Sequence, residues 1–183
     1  MPAFGQTLTA MATPMSPNGA LDLDGAQKLA HHLVESGNDG VVVAGTTGES
    51  PTLTHDETLD LFSAVVEAVG THATVVAGVG KNDTAATVEL AREAAQRGVD
   101  GLLLVTPYYN RPSVRGLHAH FSAVAAAVEL PVMLYNIPSR TAIEIPPTGL
   151  LALAEQVPNI VAVKDAVKNL DKAAWRRTGG TRL

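Results

Sequence analysis

Gly37-Asn38-Asp39-Gly40-Val41-Val42-Val43 and, 61 positions further on, Gly98-Val99-Asp100-Gly101-Leu102-Leu103-Leu104-Val105 decide the fold class. In each, a glycine suited to ending a helix is followed by Asp-Gly and a short apolar run. A spacing of 61 corresponds to two βα units of about 30 residues each. Working outward, the apolar runs of the chain are Thr7–Ala12, Gly40–Ala44, Thr74–Val79, Gly101–Val105, Val132–Tyr135 and Ile160–Val163. They are rich in Val, Ile and Leu and show little polar alternation, the pattern of strands buried on both faces of a parallel sheet.

The stretches between these runs carry helix signals. Leu21–Glu35 gives the first helix, stopped by Gly37. Thr54-His55-Asp56-Glu57 is a capping box ahead of a second. Asn82 or Asp83 can cap an alanine-rich helix that ends at Arg97, with Gly98 as its stop. Ser113 can cap a segment running through Glu129, beyond which Pro131 blocks continuation. A β-α order repeated about six times predicts an α/β fold with parallel strands and right-handed crossovers.

The composition fits a chain with a genuine core: 183 residues, 46% hydrophobic and 17% charged. A net charge of −5 without a clustered basic face argues against nucleic acid as the main partner. With no cysteine, the chain has neither disulfides, thiolate metal sites nor a cysteine nucleophile. The N-terminus lacks a basic segment followed by an apolar stretch, and no apolar run approaches the ~20 residues of a membrane span. A cytoplasmic location is the expectation.

Two architectures suit such a pattern. A doubly wound nucleotide-binding sheet would place a Gly-rich phosphate turn after its first strand. Here that turn reads Ala12-Thr13-Pro14-Met15-Ser16-Pro17-Asn18-Gly19, without the motif. Gly78-Val79-Gly80-Lys81 resembles a phosphate loop only in part: Val75 stands where the first glycine belongs, and Asn82 where Ser or Thr would touch magnesium. It reads as a strand-end turn. The alternative is the (β/α)₈ barrel, which typically needs ~250 residues and gathers its active site at the C-terminal ends of its strands.

Polar residues do gather there. After strand two comes Gly45-Thr46-Thr47-Gly48-Glu49-Ser50, where glycines allow close backbone approach and hydroxyls suit a carboxylate, or where threonines cap a tight turn. After strand four come Tyr108 and Tyr109, two of only three tyrosines, suited to an interface or to catalysis. Strand five ends in Tyr135-Asn136-Ile137-Pro138-Ser139-Arg140; period two places Met133 and Tyr135 on one face. The Arg140 fork could hold a carboxylate or simply be solvated. In strand six, period two groups Ile160, Ala162 and Lys164. If that face points inward, a desolvated Lys164 amine is disposed to be neutral and can form a Schiff base with a carbonyl. Otherwise it turns into solvent. His118 and His120 are two apart in a helical stretch and do not share a face.

Taken together, GTTGES (45–50), TPYYNRPS (106–113), YNIPSRT (135–141) and VAVKDA (161–166) resemble the dihydrodipicolinate synthase/N-acetylneuraminate lyase family of class I aldolase barrels. The likeness extends over roughly residues 4–170. It implies a TIM (β/α)₈ barrel of which this chain supplies about six βα units in residues 1–170. It implies that Lys164 forms an imine with pyruvate, and that Tyr135 centres a proton relay with Thr47 and with Tyr109 reaching across a dimer interface. Thr46 would lie beside the pyruvate carboxylate in the Gly45–Thr47 turn. Arg140 would receive the carboxylate of L-aspartate 4-semialdehyde. The YNIPSRT arginine and the YYNRP loop favour that condensation over the sugar-acid lyases of the same family. The resemblance implies no metal or organic cofactor, because the lysine is the electron sink. It also implies a homo-oligomer arranged as a dimer of dimers.

Residues 171–183, DKAAWRRTGGTRL, depart from the family pattern: no strand pattern, three arginines and the only Trp. They read as an atypical tail on a C-terminally truncated barrel. The alternatives are another pyruvate-dependent lyase, for N-acetylneuraminate or a keto-sugar acid, or a non-catalytic remnant.

Overall fold

The computed structural model describes residues 4–169 and Asp171. The expected tail, 171–183, therefore lies outside the described residues apart from Asp171. Six strands alternate with helices: β1 (Leu8–Ala10), α1 (Leu23–Glu35), β2 (Gly40–Val43), α2 (His55–Val69), β3 (Thr74–Gly78), α3 (Thr84–Gln96), β4 (Gly101–Val105), α4 (Val114–Ala125), β5 (Val132–Asn136), α5 (Pro138–Thr141), α6 (Pro147–Gln156) and β6 (Ile160–Asp165). The strands form one sheet in the order β1-β2-β3-β4-β5-β6. A doubly wound sheet reverses its strand order at a switch point, whereas strict sequential order belongs to the barrel class.

Two compact units divide the chain, one of residues 1–79 with 92–102 and one of residues 80–91 with 103–183. In the first, β1 pairs in parallel with β2 and β2 with β3. Every residue of β2 is buried, as the uninterrupted GVVV run requires. The helix signals read from sequence are present. Asp22 caps α1 by accepting from Gly25 N–H. Thr54 and Glu57 exchange side-chain and backbone bonds in the full capping box, a device worth on the order of 1 kcal/mol. α1 packs on α2, with Ala26 and Ala30 buried on one helix and Leu61, Phe62 and Val65 on the other.

The repeated Asp-Gly does a definite job. Asp39 Oδ2 accepts the N–H groups of Gln6 (2.7 Å) and Thr7 (2.8 Å). Asp100 Oδ2 accepts the N–H of Val75 at 2.8 Å. Each carboxylate at the foot of one strand thus holds the start of the strand before it. The two amide donors keep the Asp39 carboxyl below its ordinary range. Gly78 is explained by crowding, since a Cβ there would meet Ala44 O at 2.3 Å.

In the second unit β5 is buried throughout and pairs in parallel with β6. Two sequence expectations need correction. The helix expected through Glu129 ends at Ala125. Asn159 Nδ2 lies within reach of the freed carbonyls of Ala125 (2.9 Å), Val128 (3.2 Å) and Leu130 (3.2 Å), so the chain leaves the helix without orphaning them. Ile160 also does not group with Ala162 and Lys164. The register jumps at Val161, so Ile160 pairs with Val132 while Ala162 and Lys164 pair with Met133 and Tyr135. Among the six residues of β6 only Ile160 is buried, and β5 is the only strand paired with β6 among the described residues.

His120, on α4, is buried, with Nδ1 2.9 Å from Thr84 Oγ1 and its ring edge-on to Phe121. Its Nε2 has no hydrogen-bond partner among the described residues. Burial holds its pKa below the ordinary 6.5, with Asp83 pulling the other way. A histidine whose folded pKa is depressed binds its proton more readily when unfolded, so stability is lost as pH falls from about 6.5 through the folded value. Thermal melting of the full-length gene product between pH 7.5 and 5 should show this loss. His120→Gln should flatten the slope, and an unchanged slope would place the acid sensitivity elsewhere.

Candidate active site

The second unit holds four of the candidate residues. Tyr135, near the end of β5, is 5% exposed. Its strand partner is Lys164, whose Nζ lies 4.5 Å from the centre of the tyrosine ring. Parallel pairing explains the meeting: residues in register stand side by side, so an amine and a phenol at the same height share one wall. Burial holds the Lys164 amine below the ordinary lysine range. The ring face works in the opposite sense by attracting the ammonium form, and the net direction is down. An amine so placed is half-buried and gives up its proton more readily than an exposed lysine, and the neutral form is the one that attacks a carbonyl.

Arg140 sits on α5, the short turn that leaves β5, and its side chain is exposed. Its guanidinium makes no hydrogen bond or ion pair among the described residues. Tyr109 is 90% exposed and has φ 74°. Asn110 N–H donates to Tyr108 O at 2.9 Å, closing a three-residue turn around it. Such turns are rare and strained, costing on the order of 1–3 kcal/mol. Arg111 follows with φ 46°, and Asn110 Nδ2 ties the loop to Asn82 O at 3.0 Å. The loop thus spends strain to hold a phenol outward.

The first unit holds Gly45, Thr46 and Thr47. Ala44, at the end of β2, has φ 49° and Glu49 has φ 54°. Gly48 N–H donates to Gly45 O (3.0 Å) and Glu49 N–H to Thr46 O (3.3 Å). Thr13 Oγ1 donates to Gly48 O at 2.7 Å and holds the turn from beneath. Gly45 is buried, Thr46 half-buried and Thr47 exposed. The threonine hydroxyls make no hydrogen bond among the described residues, leaving them available to a ligand.

Sequence reasoning gave no role to Thr106, Asn136 and Thr141, which are all buried. Thr106 Oγ1 donates to Thr141 Oγ1 at 2.9 Å. Asn136 Oδ1 accepts from Ile145 N–H at 3.0 Å, and its Nδ2 donates to Asp165 Oδ1 at 3.3 Å. The available signal was a polar residue closing an otherwise apolar run, as Asn136 closes VMLYN. A groove of about 540 Å³ between α4 and α6, lined by Leu117, Ile145 and Leu153 among others, contains none of the candidate residues.

Sequential parallel strands, with a half-buried lysine at the end of one, define a barrel-type α/β protein. Residues 3–179 match the model of the dihydrodipicolinate synthetase family, and the chain belongs to that family. It is 58% identical over 165 residues to the 4-hydroxy-tetrahydrodipicolinate synthase of Symbiobacterium thermophilum, covering 90% of this chain and 56% of that relative. It is similar to the solved DHDPS of Cyanidioschyzon merolae with lysine bound: TM-score 0.93, 47% identity, 96% of this chain and 60% of that one. It is also similar to the chloride-inhibited dihydrodipicolinate synthase of Acinetobacter baumannii complexed with pyruvate: TM-score 0.90, 37% identity, 95% of this chain and 60% of that one. The chain therefore spans less than two thirds of the length of the relatives it matches.

Proposed function

We propose that this chain carries the Schiff-base centre of a 4-hydroxy-tetrahydrodipicolinate synthase, which condenses pyruvate with L-aspartate 4-semialdehyde. The observation that carries this reading is the half-buried Lys164 amine against the Tyr135 ring, in a chain of this family. The neutral amine attacks the keto carbon of pyruvate, and loss of water leaves an imine. Withdrawal of a methyl proton gives an enamine, whose carbon attacks the aldehyde of the second substrate. Tyr135, Thr47 and Tyr109 are proposed to pass the protons. Gly45, Thr46 and Thr47 are proposed to hold the pyruvate carboxylate through hydroxyl and backbone N–H groups. The chemistry asks for no metal or organic cofactor.

The outward Tyr109 supports a working form in which a second copy of the chain receives that phenol, in a homo-oligomer built as a dimer of dimers. A cytoplasmic location belongs to the same reading; among the described residues no helix is long and apolar enough to cross a membrane.

Incubation of the full-length gene product with pyruvate and borohydride tests the reading. A stable adduct of reduced pyruvate on one lysine is expected, together with turnover of aspartate semialdehyde. Capture of pyruvate with turnover of N-acetylneuraminate instead would change the second substrate. No capture would defeat the proposal.

Arg140 is assigned to the second substrate. Arg140→Ala should leave pyruvate capture intact and raise KM for aspartate semialdehyde about 30-fold, since a charge-assisted contact at an exposed site is worth about 2 kcal/mol. Equal damage to pyruvate capture would show that the arginine serves the fold instead.

A further inference from the structure

Arg140 is placed only by its backbone, because its side chain has no partner among the described residues. What holds that backbone therefore decides where the guanidinium can reach. Loop 137–145 is fastened at two points. At its base, fully buried Asn136 accepts from Ile145 N–H through Oδ1 (3.0 Å), joining the two ends of the loop. The same side chain donates through Nδ2 to Asp165 Oδ1 (3.3 Å), and its main-chain carbonyl accepts from Ala166 N–H (2.9 Å). One residue thus ties the loop to the strand end that carries Lys164.

The second fastening is beside Arg140 itself. Thr141 is 2% exposed and accepts the Thr106 hydroxyl at 2.9 Å. Its own proton can go to Ile137 O (3.1 Å) or Ile143 O (3.0 Å), both within the loop. Thr106 lies just past β4, so the turn bearing Arg140 is anchored to β4 as well as to β5 and β6. Buried polar groups that are fully used in this way fix one arrangement and disfavour its neighbours. A threonine and an asparagine, each with a specific partner on another strand, go beyond what is needed to close a nine-residue loop.

We propose that Asn136 and Thr141 are positioning residues, which set the distance between Arg140 and the amine of Lys164 and so govern capture of the second substrate but not of pyruvate. The proposal rests on the synthase reading of Arg140. A displacement of about 1 Å at such a loop can cost up to about 100-fold in rate, because the reacting groups no longer meet in line.

The test uses the full-length gene product and three variants. Thr141→Val keeps the shape but removes the hydroxyl. Thr141→Ser keeps the hydroxyl. Asn136→Asp keeps the acceptor for Ile145 but turns a carboxylate oxygen toward Asp165. Three quantities are measured: KM for aspartate semialdehyde, borohydride capture of pyruvate, and amide hydrogen exchange across 138–145. Thr141→Val should raise KM about tenfold or more, speed exchange in the loop, and leave pyruvate capture at the parental level; Asn136→Asp should raise KM and speed exchange likewise. Thr141→Ser should restore KM and protection together. Faster exchange with unchanged KM would overturn the proposal, as would a loop unprotected in the parent. So would loss of pyruvate capture in step with the rise in KM, which would mark a structural role only. A parent that fails to capture pyruvate at all overturns the synthase reading and this proposal with it. A parent that captures pyruvate but shows no response to these substitutions overturns this proposal alone.

Discussion

Lys164→Ala is expected to abolish covalent capture of pyruvate, with synthase turnover falling on the order of 10³-fold or more, as when any enzyme loses its nucleophile. Lys164→Arg should fare no better, since a guanidinium stays protonated and cannot attack a carbonyl. The side chain on the Tyr135 ring is half-buried, so its removal leaves a modest gap at a strand end and the fold should survive. The pH profile gives a second check. Burial lowers the amine pKa, so the neutral fraction rises at a lower pH than for an ordinary lysine. Capture should therefore set in below the pH at which a solvent-exposed amine reacts. A reduced adduct mapping to Lys168 would refute the assignment.

The second large effect concerns the 183-residue chain expressed by itself, which should self-associate and show little or no turnover. Among the described residues β1 pairs only with β2, and β6 only with β5. Parallel apolar strands with an open side present unpaired N–H and C=O groups, a template for other chains. Val161, Ala162 and Val163 on β6 are only half-buried, whereas every residue of β2 is buried. At ~25 cal/mol per Å², a few hundred Å² of such surface costs several kcal/mol, against ~5–15 kcal/mol of net stability in a typical domain. Joining the chain to the portion of the Symbiobacterium thermophilum relative that it does not match should restore a cooperative melt and activity. A sharp melt, a single species on size-exclusion chromatography and family-like turnover from the 183 residues alone would refute this.

Much of the architecture was readable because the strands are short, apolar and separated by residues with unambiguous chemistry. The Thr54 capping box, the Ser113 cap and the positive φ of Gly37 and Gly98 are local devices, and local devices are written in adjacent letters. The misreadings involved distant partners. Nothing near Glu129 announces that α4 stops at Ala125, because the side chain that donates to the released carbonyls is Asn159. The jump at Val161 depends on how β6 meets β5. At the candidate site, Tyr135 and Lys164 close two separate apolar runs, and their contact follows from strand register. Asn136 and Thr141 sat inside a quoted motif without a function, since their partners, Asp165, Ile145 and Thr106, come from other parts of the chain.

Asp39 and Asp100 have one more consequence. In a strand with one wet face, a slip by a single residue turns its oily side chains toward water and is rejected at once. A run such as Val41-Val42-Val43 lies between two dry faces, and sliding it by one position exchanges valine for valine. Oil alone cannot count along such a strand. The carboxylates can: Asp39 has two waiting amides at Gln6 and Thr7, Asp100 has one at Val75, and any other alignment strands a charge. Each aspartate is thus an address written in polar ink on a page that is otherwise blank, and the one at Asp39 fixes how high β2 delivers Thr46 and Thr47.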